Sequence, residues 1–179
     1  MSAADERPAP LPALAALEVA HLDWPRDDND SEAPHSSAFD DVYFSRHDGR
    51  AETEHVFINA NRLPERLAAW QGPRPFVIGE TGFGTGLNML CAWAAFERHA
   101  PATARLHLVS TERFPMTRDD LERALTAWPE FHDKAACLTA QWPAPVAGVH
   151  RLRLSERVIL DLHFGDSAER LGQLDGRVD

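Results

Sequence analysis

Apolar and polar positions change rhythm once along this chain, near residue 75. Beyond that point, runs suited to buried strands alternate with stretches suited to helices. Residues 75–80 predict a strand and 86–98 a helix, and 106–110 predict a second buried strand ending in Thr111 and Glu112. Thr117 is placed as the N-cap of a helix reaching about residue 127, with Asp120 three positions on as a weaker form of the capping box. A further helical piece covers about 130–139. Residues 149–154 and 158–164 read as a hairpin or strand pair closing on Gly165 and Asp166, after which Ser167 caps a short final helix. This strand–helix order predicts an α/β fold, a parallel sheet with helices on both faces.

Ahead of residue 75 the pattern is less regular. Residues 1–13, with Pro8, Pro10 and Pro12 among alanines and charges, read as a disordered lead-in to a single domain over 14–179. Residues 14–24 suit a short strand, 27–31 a polar turn and 39–44 a returning extended segment, together a small N-terminal hairpin. Two helices are expected over 50–61 and 63–70, the second ending at the breaker Gly72-Pro73.

The junction between the first predicted strand and helix carries the chemistry. It reads Glu80-Thr-Gly-Phe-Gly-Thr-Gly86, followed by Leu87 and Asn88. Glycines at a strand-to-helix turn supply positive φ and a close backbone approach, as a nucleotide pocket needs. A dinucleotide brings a pyrophosphate, which wants bare backbone N–H groups and no carboxylate beside them. Glu80 suits a cation better, and S-adenosylmethionine carries a sulfonium and an ammonium with no phosphate. The alternative, an NAD- or FAD-binding Rossmann domain, is disfavoured because its G-x-G-x-x-G spacing is not met, with Leu87 in the last glycine's place.

In an open parallel sheet, ligands sit outside the carboxyl ends of the strands. Glu80, Glu112 and Asp166 all fall there. Glu112 suits a carboxylate accepting from both ribose hydroxyls, Asp166 can accept from the adenine amino group, and Glu80 can hold the methionine ammonium. Asp166 taken alone also suits a helix cap. Asp40, Asp41, Tyr43 and Phe44 form a further cluster, in which an aromatic face beside a sulfonium gains about 0.5–2 kcal/mol.

With 28 acidic against 18 basic residues and a formal charge of −10, the chain is poorly suited to gripping nucleic acid by itself. No apolar run approaches a bilayer span, and a cytoplasmic location is expected. Cys91 and Cys137 are read as small apolar residues. No metal site is expected, since the nine histidines show no ligand spacing, and neither a G-x-S-x-G elbow nor a P-loop is present.

Several phrases in order give a resemblance. Phe39-Asp-Asp-Val-Tyr-Phe-Ser45, Leu63-Pro-Glu-Arg66, Glu80-Thr-Gly-Phe-Gly-Thr-Gly-Leu-Asn88, Glu112-Arg-Phe-Pro-Met-Thr-Arg118, Gln141-Trp-Pro143 and Leu160-Asp-Leu-His-Phe-Gly-Asp166 resemble the methyltransferase domain of the bifunctional tRNA 5-methylaminomethyl-2-thiouridine biosynthesis proteins. The resemblance implies a Rossmann-like class I methyltransferase that uses S-adenosyl-L-methionine to methylate the exocyclic amine of 5-aminomethyl-2-thiouridine at the tRNA wobble position. Full-length relatives are expected to add an FAD-dependent oxidoreductase domain. Carried over by motif, Glu80, Gly82, Phe83, Gly84, Gly86 and Asn88 would line the methionine end, Glu112 the ribose and Asp166 the adenine, with Asp41 and Tyr43 closing the pocket. Relatives continue past Asp179 into further strands and the acid nearest the transferred methyl. This implies a truncated domain lacking the C-terminal half of the sheet, no catalytic residue within the chain, and an inactive donor-binding fragment as the other reading. It also implies an exposed edge on the first strand, with self-association expected.

Overall fold

The computed structural model describes residues 15–26, 32–44 and 49–179, so the expected lead-in over 1–13 and polar turn over 27–31 lie outside the described residues. In the N-terminal part the extended segments are cut short. The strand expected over 14–24 reduces to β1 (Leu22–Asp23), which pairs antiparallel with β2 (His35–Ser36), which in turn pairs antiparallel with β3 (Asp41–Val42). Residues ahead of β1 instead run beside a later loop, where Leu17 N–H donates to the Pro145 carbonyl at 2.8 Å and Ala147 N–H to that of Ala15 at 2.9 Å. The extended segment expected over 39–44 keeps only β3, because a turn with Asp40 at φ +52° precedes it.

The helix expected over 50–61 is two kinds of helix. α1 (Gly49–Thr53) passes directly into a π-helical turn over Glu54–Asn59, whose Ala60 N–H reaches back five residues to His55 O at 3.0 Å. The wider turn shifts the register of everything before it relative to everything after. α2 (Leu63–Ala68) then starts from Arg62 at φ +51°.

After residue 75 the chain follows its hydrophobic rhythm. β4 (Phe76–Thr81), α3 (Leu87–His99), β5 (Leu106–Glu112), α4 (Arg118–Leu125), a 3₁₀ turn, α5 (His132–Ala140), β6 (Gly148–Arg153), β7 (Val158–Phe164) and α6 (Ser167–Gly172) follow in order. The sheet order is β4-β5-β7-β6. The first three are parallel, and β6 is the antiparallel arm of a hairpin with β7. Thr117 caps α4, its Oγ1 accepting the Asp120 N–H at 3.1 Å. The cap of α6 is a correction: Asp166, not Ser167, takes the N–H groups of Ala168 and Glu169, at 3.0 and 3.3 Å. Gly165 at φ +137° turns the chain there and leaves Asp166 extended at the N-cap, one residue earlier than expected.

Strand alternation separates the two faces of the sheet. Phe76 and Ile78, Leu106 and Leu108, and Leu160, Leu162 and Phe164 turn one way, into a core shared with Leu90 and Phe96 of α3 and Leu138 of α5. On the other face Asp161 of β7 joins three strands. Arg151 of β6 donates to its two oxygens at 2.7 Å each, and His107 Nε2 of β5 lies 2.8 Å from Oδ2. α6 reaches this second face through Ser167 Oγ, 2.7 Å from Thr111 Oγ1. Helices therefore flank both faces, unevenly, and the arrangement is that of a Rossmann-like α/β sheet.

Candidate functional site

The turn from β4 into α3 is built on three glycines, at φ +78° (Gly82), +56° (Gly84) and +76° (Gly86). At Gly86 a Cβ would also stand 2.5 Å from the Phe83 ring, so both space and φ demand glycine. Four of the loop's own N–H groups are committed. Those of Gly82 and Phe83 donate to the Thr111 carbonyl at 2.9 and 3.0 Å, and that of Gly84 to Glu112 Oε2 at 2.9 Å. Gly86 N–H closes onto Phe83 O at 2.8 Å. These four donors are not free for a pyrophosphate.

Parallel register places Glu80 opposite Ser110, with Glu112 one pleat further along the same face of β5. Glu80 accepts from Ser110 Oγ at 3.0 Å through Oε1 and from Asn88 Nδ2 at 3.2 Å through Oε2. Thr53, at the junction of α1 and the π-turn, donates to Asn88 Oδ1 at 3.0 Å. Burial pushes the Glu80 carboxyl up to about 8; the Asn88 and Ser110 hydrogen bonds oppose that rise, and the Glu112 charge adds to it. Burial likewise raises Glu112, against backbone N–H donors that include Gly84 and Phe114. The donors to both acids are uncharged: the Asn88 and Ser110 side chains for Glu80, and backbone N–H groups, that of Arg113 included, for Glu112. Two neighbouring carboxylates whose donors are all neutral form a site suited to a cation.

A cavity of about 320 Å³ opens beside the loop, within the usual size of small-molecule sites. Tyr43, Phe44, Thr53, Phe57, Gly84 and Asn88 are among its walls. Tyr43 lies over the loop, with its ring 3.3 Å from where a Gly84 Cβ would stand. Burial, then the Glu112 charge, push its hydroxyl up to about 12, so it stays a neutral phenol.

Glu80, Gly82, Phe83, Gly84, Gly86, Asn88, Glu112 and Tyr43 are thus brought together. The two acids stand one hydrogen bond behind the cavity wall, Glu80 through Asn88 and Glu112 through Gly84. Each Glu80 oxygen keeps a lone pair for a ligand. Asp166 sits at the same rim, at the end of β7. Its Oδ1 serves the α6 cap, and its Oδ2 lies 3.6 Å from Arg113 Nη1. Asp41 is exposed and accepts from its own neighbour, Val42 N–H, at 2.8 Å, and it is not among the cavity walls.

Sequence reasoning missed Thr53, Phe57, Ser110 and Arg113. Ser110 was within reach, since it shares the strand period with Glu112. Thr53 and Phe57 were not, because nothing in the composition of 49–59 marks a π-turn. Among the described residues no cluster of acids, histidines or cysteines is arranged to hold a metal, and no helix is long and apolar enough to cross a membrane.

No family model matches the chain. The resemblance read from the motifs nonetheless holds across nearly the whole chain. It is 69% identical over 170 residues, 95% of its length, to the tRNA 5-methylaminomethyl-2-thiouridine biosynthesis bifunctional protein MnmC of Chromohalobacter salexigens. It is 54% identical over 167 residues, 93% of its length, to the protein of that name in Pseudomonas aeruginosa. The chain spans about a quarter of the length of these relatives, 24% and 25%. Among solved structures it is similar to MnmC2 from Aquifex aeolicus, with a TM-score of 0.61, 18% identity, and coverage of 90% of this chain and 48% of that one. That likeness concerns the fold alone.

Proposed function

We propose that this chain binds S-adenosyl-L-methionine at the glycine loop and serves a methyl transfer to the exocyclic amine of 5-aminomethyl-2-thiouridine at the tRNA wobble position. The observation that carries the donor assignment is the state of the loop. The N–H groups of Gly82, Phe83 and Gly84 are spent on Thr111 and Glu112, while Glu80 stands beside them with neutral donors only. This favours a cationic adenosyl compound over NAD or FAD. The nucleoside and the tRNA come from the names of the relatives, of which this chain matches about a quarter.

In this reading Glu80 and Asn88 hold the amino-acid end of the donor, Glu112 the ribose, and Asp166 the adenine through Oδ2, the oxygen that the α6 cap does not use. The donor, when bound, supplies an electrophilic methyl on positive sulfur. The protein's part is alignment, because an in-line displacement gains most from proximity and orientation. Tyr43, Phe44 and Phe57 exclude water from the cavity, and water exclusion lowers the pKa of an acceptor amine, which is about 10 when solvated. No group in the chain is assigned as its base. A flavin-dependent oxidoreductase activity belongs, in this proposal, to the remaining length of bifunctional relatives.

The test is transfer of labelled methyl from S-adenosylmethionine to tRNA carrying 5-aminomethyl-2-thiouridine, using this chain and a full-length relative in parallel. The proposal expects transfer by the relative and saturable donor binding by this chain. Failure of both to bind the donor refutes it.

A further inference from the structure

The donor site depends on a contact from outside the sheet. Asn88 lies in the first turn of α3, and its amide has two ends. Oδ1 accepts the Thr53 hydroxyl at 3.0 Å, and Nδ2 donates to Glu80 Oε2 at 3.2 Å. Amide ends are told apart by their partners. A ligand cation leaves Glu80 ionised, and in that form it accepts only, so it requires the nitrogen, and the oxygen must then find a donor elsewhere. Thr53 is that donor. It is buried at 8% exposure, and both Thr53 and Asn88 line the cavity of about 320 Å³.

Backbone geometry explains how Thr53 reaches this place. It is the last residue of α1 and directly precedes the π-turn over Glu54–Asn59. Uninterrupted α-helical winding through this segment would rotate Thr53 by roughly a quarter of a turn relative to Phe57 and Ile58, which pack against the core. The π-turn lets one face of the segment pack while Thr53 meets Asn88.

We infer that Thr53 is a positioning residue of the donor site, which fixes the Asn88 amide so that its nitrogen faces Glu80 and the carboxylate keeps a defined orientation toward a ligand ammonium. The inference rests on the donor reading above. Thr53 touches no reacting atom, and it acts through Asn88. Its loss leaves Asn88 Oδ1 without its donor, frees the amide to rotate, and weakens a hydrogen bond that favours the ionised form of Glu80. The groups facing Glu80 are Asn88 of α3, Ser110 of β5 and the charge of Glu112.

Two measurements on the full chain test this. The first is calorimetric titration of S-adenosylmethionine into wild type, Thr53→Val and Thr53→Ser. Thr53→Val should weaken binding roughly tenfold, while Thr53→Ser, which restores the hydroxyl, should stay within about threefold of wild type. The second needs no ligand: ¹³C NMR titration of the Glu80 carboxyl. Its midpoint should rise in Thr53→Val and return in Thr53→Ser, a response that a merely structural role for Thr53 would not give. An unchanged Glu80 titration in a folded Thr53→Val protein overturns the inference, as does equal loss of affinity in both variants. Absence of donor binding by the wild type strikes the functional reading instead, and the NMR arm then decides the positioning role alone.

Discussion

Glu80 is the side chain on which the ligand preference turns. Its carboxyl titrates near 8 in the folded chain and near 4.5 when solvated, because burial beside Glu112 outweighs the Asn88 and Ser110 hydrogen bonds. The folded state therefore holds a proton between those values that the unfolded state has released. Stability contributed by this group is fully present below about 4.5 and is lost as pH rises toward 8. A ligand cation beside Glu80 reverses the preference and expels the proton. Calorimetry of S-adenosylmethionine binding near pH 6.5, in buffers of different ionisation enthalpy, is expected to reveal release of about one proton per site. Glu80→Gln is expected to abolish that release and to weaken binding by roughly 2 kcal/mol, the scale of a hydrogen bond to a charged group. Proton release that persists in Glu80→Gln would assign the linkage to another group.

Among the elements, the glycine loop and the two strand ends behind it form one piece. Gly84→Ala keeps φ near +56°, a left-handed conformation that costs a residue with Cβ roughly 1–2 kcal/mol, and it presses on the Tyr43 ring at 3.3 Å. Chemical denaturation should show a loss of that size, with donor binding reduced further. A fully retained affinity would mean that Tyr43 does not close the site. On the opposite face, burial raises the Asp161 carboxyl, but the Arg151 and His107 contacts outweigh it and hold it well below the usual range. Its stabilisation is present above about pH 4 and declines as pH falls further. Asp161→Ala is expected to cost roughly 1–2 kcal/mol by urea denaturation at pH 7, a discounted figure because Arg151 is largely exposed.

The parallel strands, α3, α4 and the glycine turn were legible because burial on a sheet and amphipathic packing write a period into the sequence. Glu80 and Glu112 were legible because they close such strands. The cap on α6 was off by one, since Asp166 and Ser167 are both good caps and only the turn at Gly165 decides between them. The N-terminal region was least legible. Its two-residue strands carry no period, and the π-turn that delivers Thr53 has no compositional signal.

Over the whole molecule, charge and the sheet edge matter most. A net charge of −10 opposes capture of a polyanion. The isolated chain is expected to bind tRNA weakly even where it binds the donor well, which gel-shift titration at low and physiological salt will show; tight, salt-sensitive binding would reveal a local basic face. At the outer edge of β4, Val77 exchanges hydrogen bonds with Asp179, which also pairs with Arg74 at 2.7 Å. Asp179→Ala frees the Val77 N–H on that edge and the Arg74 partner, and is expected to increase self-association in sedimentation velocity. An unchanged distribution would mean that Asp179 does not protect the edge.

The central claim is that the glycine loop and its acids select a positively charged adenosyl donor over phosphate-bearing cofactors. Paired titrations of the same protein with S-adenosylmethionine and with NAD at pH 7 test it most directly. The account predicts one saturable site for S-adenosylmethionine and no measurable heat of binding for NAD. Binding of NAD with no response to S-adenosylmethionine would contradict it.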